Sequence, residues 1–145
     1  MKPLPQVLLV DDNPADVGLA REALAGGRHH SHISHAPDGE EAVAFLRCAG
    51  RYADAVRPDL VILDLNLPRK DGRAVLAEAK SDPNLRNIPI VVFSTSRSML
   101  DIARSYELGA NCYVSKPGNL NDYFLALQSI EEYWFGCASL PREEK

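Results

Sequence analysis

Asp11-Asp12, Asp64 and Ser94-Thr95 each follow directly on a short apolar run, and Lys116 follows another one residue on, after Ser115. Carboxylates, hydroxyls and one ammonium group in that pattern suit phosphoryl chemistry. Carboxylates brought close together repel one another, and a hard divalent cation relieves that repulsion through oxygen ligands. Mg2+ takes few protein ligands and keeps waters and phosphate oxygens in its shell. Asp12 and Asp64 can therefore offer carboxylates, and Asn66 a backbone carbonyl. A carboxylate can also act as the nucleophile and form an aspartyl phosphate. The Lys116 ammonium would oppose the charge that spreads over the phosphoryl oxygens, and the Ser94 hydroxyl would bond one of them. No general base stands apart from the metal ligands, so no catalysis beyond slow hydrolysis is expected.

These residues come together only if the elements before them are strands of one sheet. The run Leu60-Val61-Ile62-Leu63 reads as a strand buried on both faces, stopped at Asp64 and closed off by Pro68. Residues 6–10 and 90–93 read the same way, 111–114 forms the last strand, and 29–36 is a weak, polar strand suited to a sheet edge. Helices fall between them. Asn13-Pro14 opens the first, with Val17, Ala20 and Leu24 inward and Gly26-Gly27 at its end. Asp38 caps the second, whose apolar face is Ala42, Phe45, Leu46 and Ala49. Residues 50–58 make a long loop. A third helix follows Gly72 with Val75, Leu76 and Ala79 inward, a fourth spans about 98–108, and the last starts near Asn119 and buries Tyr123, Leu127, Ile130 and Trp134. Five strand–helix alternations predict an α/β fold: a doubly wound, flavodoxin-like parallel sheet of order 2-1-3-4-5. Asp11-Asp12 and Asp64 then flank the topological switch point.

The 145 residues suit one domain, and 46% hydrophobic content can fill its core. The expected division is a lead-in at 1–5, the domain at 6–135 and a tail at 136–145 that ends in disorder, with no separate output domain. A net charge of -4 gives no general attraction to nucleic acid. No run is long enough for a membrane span, and 1–5 does not read as a signal peptide. Cys48, Cys112 and Cys137 have neither zinc spacing nor a disulfide framework, which points to a cytoplasmic protein with reduced thiols.

The set Asp11-Asp12, Asp64-Leu65-Asn66-Leu67-Pro68, Ser94 and Lys116-Pro117 resembles the response-regulator receiver domain of two-component signalling, over nearly the whole chain from about Gln6 to Trp134. The resemblance implies that Asp64 is the phosphoacceptor and that Asp11 and Asp12 help hold Mg2+, for which Mn2+ or Ca2+ can substitute. It puts Ser94 and Tyr113 at the switch positions, with Thr95 as a second hydroxyl one residue on, and makes Lys116 the charge-stabilising lysine. It also implies a cis peptide at Lys116–Pro117. The segment from Arg51-Tyr52 through Arg57-Pro58, Leu65-Asn66-Leu67-Pro68-Arg69-Lys70-Asp71-Gly72-Arg73, the stretch from Tyr106 to Tyr113, and Ile130-Glu131-Glu132-Tyr133-Trp134-Phe135 followed by Ser139-Leu140-Pro141 are similar to the single-domain regulators paired with bacterial and cyanobacterial phytochromes. That narrower likeness implies a photoreceptor histidine kinase as donor. Output would pass through protein contacts or to a downstream phosphotransfer protein.

Two rival readings share some of these features. A haloacid dehalogenase-type phosphatase also uses a strand-end aspartate and Mg2+, but it needs a second aspartate where this chain has Asn66. A degenerate receiver used only for docking would not keep the full set of aspartates, serine and lysine. Four histidines at 29, 30, 32 and 35 lack a defined second set of ligands and read as a polar edge strand. Asp16 reads as an acid favoured by the helix dipole. Phe124, Tyr133 and Phe135 fall off the inward stripe of the last helix, since successive residues diverge by about 100°. With Trp134 they predict an apolar surface patch and a two-fold homodimer.

Overall fold

The computed structural model describes residues 3–141; residues 1–2 and the charged end at 142–145, expected to be disordered, lie outside the described residues. Three apolar runs form the middle of a five-stranded parallel sheet. In chain order the elements are β1 (Gln6–Val10), α1 (Pro14–Ala25), β2 (His32–Ala36), α2 (Gly39–Leu46), β3 (Leu60–Leu63), α3 (Gly72–Ser81), β4 (Ile90–Ser94), α4 (Met99–Glu107), β5 (Cys112–Ser115) and α5 (Leu120–Glu131). The strand order is β2-β1-β3-β4-β5, the expected doubly wound arrangement.

Period-two alternation along each central strand feeds two separate cores. Val7, Leu9, Leu60, Ile62, Val91 and Phe93 point to the face covered by α1 and α5. Leu8, Val10, Val61, Leu63, Ile90 and Val92 point to the face covered by α2 and α3. Five side chains cap the helices: Asn13, Asp38, Asp71, Ser98 and Asn119 each accept a backbone N–H from the first turn. Each such cap is worth about 1 kcal/mol. They fix where each helix begins, and so how the loop from the preceding strand must run.

Three local expectations are corrected. Ala49 was placed on the apolar face of α2, but the helix stops at Leu46 and Ala49 is exposed. Cys48 turns the chain into the left-handed region at φ 52°, and a short 3-10 turn, Gly50–Tyr52, follows. Tyr52 covers the site instead, packing edge-on against Phe45 with 5.3 Å between ring centroids. Second, none of the described peptide bonds is cis, so Lys116–Pro117 is trans. Trans is lower by about 0.5–1 kcal/mol even before proline. The Lys116 N–H, bonded to the Ser94 carbonyl at 2.7 Å, already continues the sheet ladder up to that bond.

Third, the last helix does not run on as one α-helix. It widens into a π-helix, Glu132–Cys137. A π turn holds more residues than an α turn, so the stripe set by 3.6-residue spacing does not carry on through it. Trp134 and Phe135 both pack against the α1/α5 core, as does Phe124. Only Tyr133 of the four expected patch residues is exposed, at 55%. The aromatic surface inferred from regular helical spacing is thus largely taken up inside the protomer.

Candidate functional site

The parallel register brings the strand ends to one edge. Asp64 N–H donates to the Val10 carbonyl at 2.9 Å, and Asp11 N–H to that of Ala36 at 3.2 Å. Ser94 pairs with Ser115, the residue before Lys116. The Leu65 carbonyl accepts the Gly72 N–H at 2.8 Å, which folds the loop back under Asp64. Only glycine permits that approach, because a Cβ at 72 would overlap the Asp64 carbonyl oxygen.

Lys116 is the centre of the cluster. Its Nζ donates to Asp11 Oδ2 at 2.9 Å, Asp16 Oδ2 at 3.0 Å and Asp64 Oδ2 at 3.2 Å, and lies 5.8 Å from the Phe93 ring centroid. Asp11 is buried, and its second oxygen accepts the Asn13 N–H at 2.9 Å. His35 Nε2 lies 2.8 Å from the Asp11 carbonyl. Asp16 was read as a dipole-favoured acid alone, yet it is a direct Lys116 partner. No local signal marks that contact, since the helix dipole already accounts for an acid in the first turn of α1. Tyr123 O–H donates to the Asp16 carbonyl at 3.2 Å, and burial together with the Asp16 charge pushes the phenol up to about 12.

The charges are unbalanced in a way that matters for reactivity. Burial alone would lower the Lys116 pKa, but hydrogen bonds and attraction from Asp11, Asp64 and Asp16 overcome that and raise it, so the ammonium stays charged. Asp64 moves the other way for a carboxylate. Its pKa is raised, first by burial and then by repulsion from Asp11, with Lys116 offsetting only part. One ammonium shared among three carboxylates cannot satisfy all of them. Asp12 adds a further carboxylate and is exposed.

One oxygen from each of Asp11, Asp12 and Asp64 lies within 4.8 Å of the others. An all-oxygen donor set with surplus negative charge fits Mg2+, Mn2+ or Ca2+. Asn66 is exposed on the loop just beyond Asp64. Ser94 is fully buried, whereas Thr95 is exposed, which separates the two adjacent hydroxyls. Ser94 Oγ accepts the Ser96 N–H at 3.4 Å. The Ser96 carbonyl accepts the Tyr113 hydroxyl at 2.8 Å, and Ser96 Oγ donates to Asp101 at 2.6 Å. Asp101 in turn is paired with Arg73 at 2.8 Å. Tyr113 is already half-buried, packed against the α2/α3 core.

Known proteins share this chain's sequence pattern and fold. The sequence profile described as the response regulator receiver domain matches residues 7–128. The response regulator Rcp1 of the cyanobacterium Synechocystis sp. is 46% identical over 93% of this chain and 92% of its own. The crystal structure of the phosphorylated cyanobacterial phytochrome response regulator RcpA superposes with a TM-score of 0.93 at 51% identity, covering 97% of this chain and 100% of that one. The Mn2+-bound form of Rcp1 superposes with a TM-score of 0.91 at 45% identity, covering 95% and 99%.

The raised Asp64 pKa fixes the sign of a stability effect. A carboxylate whose folded pKa lies above its unfolded value loses stabilising influence as pH rises through that range, so charged Asp64 costs stability at neutral pH. Asp64→Asn, which mimics the protonated form, is expected to raise the melting temperature without divalent cations by a few degrees, about what 1 kcal/mol produces in a domain of this size. Lys116, whose pKa is also raised, changes in the same direction with pH: its contribution is full below its unfolded pKa and is lost on alkaline titration. A thermal melt of Asp64→Asn at or below the wild-type midpoint at neutral pH, in chelator, contradicts the assignment of Asp64 as the under-neutralised group.

Proposed function

Because the chain belongs to the response regulator receiver family, we propose that it takes a phosphoryl group onto Asp64 from the phosphohistidine of a phytochrome-type histidine kinase. The observation that carries this reading is the sharing of Lys116 among Asp11, Asp16 and Asp64. An Asp64 oxygen attacks phosphorus, the P–N bond breaks, and the imidazole of the donor leaves with that electron pair. Lys116 holds its charge beside the oxygen that does not attack. Receiver domains hold Mg2+ at this acidic pocket, and Asp11, Asp12, Asp64 and the Asn66 carbonyl would hold it here. When bound, the ion supplies positive charge to the phosphoryl oxygens. The chain acts as a phosphoacceptor rather than as an enzyme with a separate substrate, apart from slow loss of its own phosphoryl group. Asn66 in place of an acid argues against the phosphatase alternative.

A phytochrome-type donor is supported by RcpA, itself described as a phytochrome response regulator. The three free cysteines fit a cytoplasmic setting. Output runs through protein contacts or a phosphotransfer protein. The β4–α4 loop is the lever. If the Ser94 hydroxyl turns to a phosphoryl oxygen, its contact with Ser96 N–H is given up. Ser96 also anchors Tyr113 and Asp101, so the start of α4 is released with it. The chain pairs with a second copy through α4, β5 and α5. Met99 and Leu100 are 78% and 77% exposed, and Leu120, Leu125 and Tyr133 lie open on or just after α5. Phe124, Trp134 and Phe135 pack against the α1/α5 core.

Phosphotransfer from a purified phytochrome kinase tests the chemistry. Asp64→Asn is expected to accept label at least ~100-fold more slowly, and Asp12→Ala to need more Mg2+. Labelling of Asp64→Asn at the wild-type rate would sink the proposal. Tyr113→Phe tests the lever: phosphorylation stays within roughly twofold of wild type while the α4 amide response to beryllofluoride changes. Identical NMR responses across α4 in the two proteins would remove Tyr113 from the coupling. For assembly, sedimentation at micromolar concentration should give a dimer that Leu100→Asp weakens. A monomer throughout contradicts the pairing.

A further inference from the structure

A second group of metal-competent side chains stands away from the acidic pocket. His29, Glu131 and Glu132 each place one ligand atom within 4.8 Å of the others. His29 comes just before β2, and the two glutamates sit where α5 passes into the π-helix. The fold thus provides the second ligand set that the histidine tract lacks in sequence.

Glu131 is 1% exposed, and no cationic side chain among the described residues pairs with it. One of its oxygens accepts the His29 backbone N–H, so the segment before β2 is already drawn to it. A buried carboxylate with no countercharge is costly and calls for a cation. Glu132 faces the same point: its Oε2 lies 3.0 Å from His29 Nε2, and the cation nearest its other oxygen among the described residues is the exposed Arg28, at 3.9 Å. An exposed pair of that kind holds weakly.

Two glycines keep the space open. A Cβ at Gly136 would come 2.6 Å from His29 Nε2 and 2.9 Å from Glu132 Oε1, and one at Gly27 would overlap Glu131 Oε2. Gly136 lies within the π-helix, and such wide turns often mark functional sites.

We propose that His29, Glu131 and Glu132 bind a divalent transition-metal ion of the zinc class, tying the segment before β2 to the end of α5. One imidazole and two carboxylates are three protein ligands, with water completing the shell. The imidazole selects against Mg2+, which the all-carboxylate pocket prefers. The two sites therefore divide the divalent ions by donor chemistry.

Calorimetric titration of Zn2+ into the full chain, with Mg2+ kept saturating, tests this. One zinc equivalent is expected, weakened at least ~tenfold in His29→Ala and in Glu132→Gln, the size typical of losing a ligand or its support. His30→Ala should bind as wild type does. Gly136→Ala keeps all three ligands but fills the space, and should also weaken binding. The same isotherm in wild type and His29→Ala, or loss of zinc in His30→Ala alone, overturns the proposal. Should His29→Ala not fold, 15N NMR of the wild-type chain decides: the His29 Nε2 resonance must shift on zinc addition, and an unmoved resonance overturns the site.

Discussion

A single buried ammonium among aspartates is the constraint on which the rest of the molecule depends. Lys116 donates to three carboxylates and cannot neutralise them all. Burying unbalanced charge costs several kcal/mol per ion unless geometry and hydrogen bonding offset it. The site meets that cost only in part. Asp11 is fully engaged by Lys116 and the Asn13 amide, whereas Asp64 carries the residual repulsion and keeps a raised pKa. The unmet charge lies on a residue that is not wholly closed off from solvent. A cation or a phosphoryl group held by one is the chemistry that balances it.

The fold serves this imbalance by rigidity. Two cores, one on each face, clamp β1, β3 and β4, whose inward residues are almost wholly buried. Close-packed interiors yield little, so the strand ends cannot drift apart to relieve repulsion. The caps act in the same direction. Asn13 starts α1 immediately after Asp12 and so swings Asp16 back towards Lys116. Asp71 starts α3 at Gly72, where the missing Cβ lets the loop pass directly beneath Asp64. What remains movable is the loop after β4, held by side-chain hydrogen bonds through Ser96 rather than by the core.

The sheet order, the helix starts and the convergence of Asp11, Asp12, Asp64, Ser94 and Lys116 were legible in the chain. Each rests on a local signal: an apolar run, a capping side chain, a polar residue at the run's end. The contribution of Asp16 was not legible, because a residue in a first helical turn has a sufficient local explanation in the dipole. Its bond to Lys116 spans the length of the domain, and residue spacing carries no information on such a contact. Ala49 failed for a different reason. Helical periodicity marks a face but not an end, and the turn at Cys48 has no glycine or proline to announce it. Lys116–Pro117 failed because a family habit, not a local signal, stood behind it.

The end of α5 shows what regular geometry conceals. At α-helical spacing neighbouring side chains diverge by about 100°, so neither Glu131 with Glu132 nor Trp134 with Phe135 is expected to share a face. The pattern Glu-Glu-Tyr-Trp-Phe therefore looks frustrated in sequence: two adjacent acids and three adjacent aromatics, each group wanting a common side. A π-helix runs from Glu132 to Cys137. Trp134 and Phe135 both pack against the α1/α5 core, while Glu131 and Glu132, whose backbones are still α-helical, both reach His29 with their long side chains. Wide turns are intrinsically less favourable than α-helical ones, so the contacts made on both sides must hold this one. Burial of two aromatic rings supplies one such contact, and the meeting of His29 with the paired glutamates supplies the other. A change that filled the space at Gly136 would press on the second while leaving the first in place, which separates the two contributions to an otherwise single distortion.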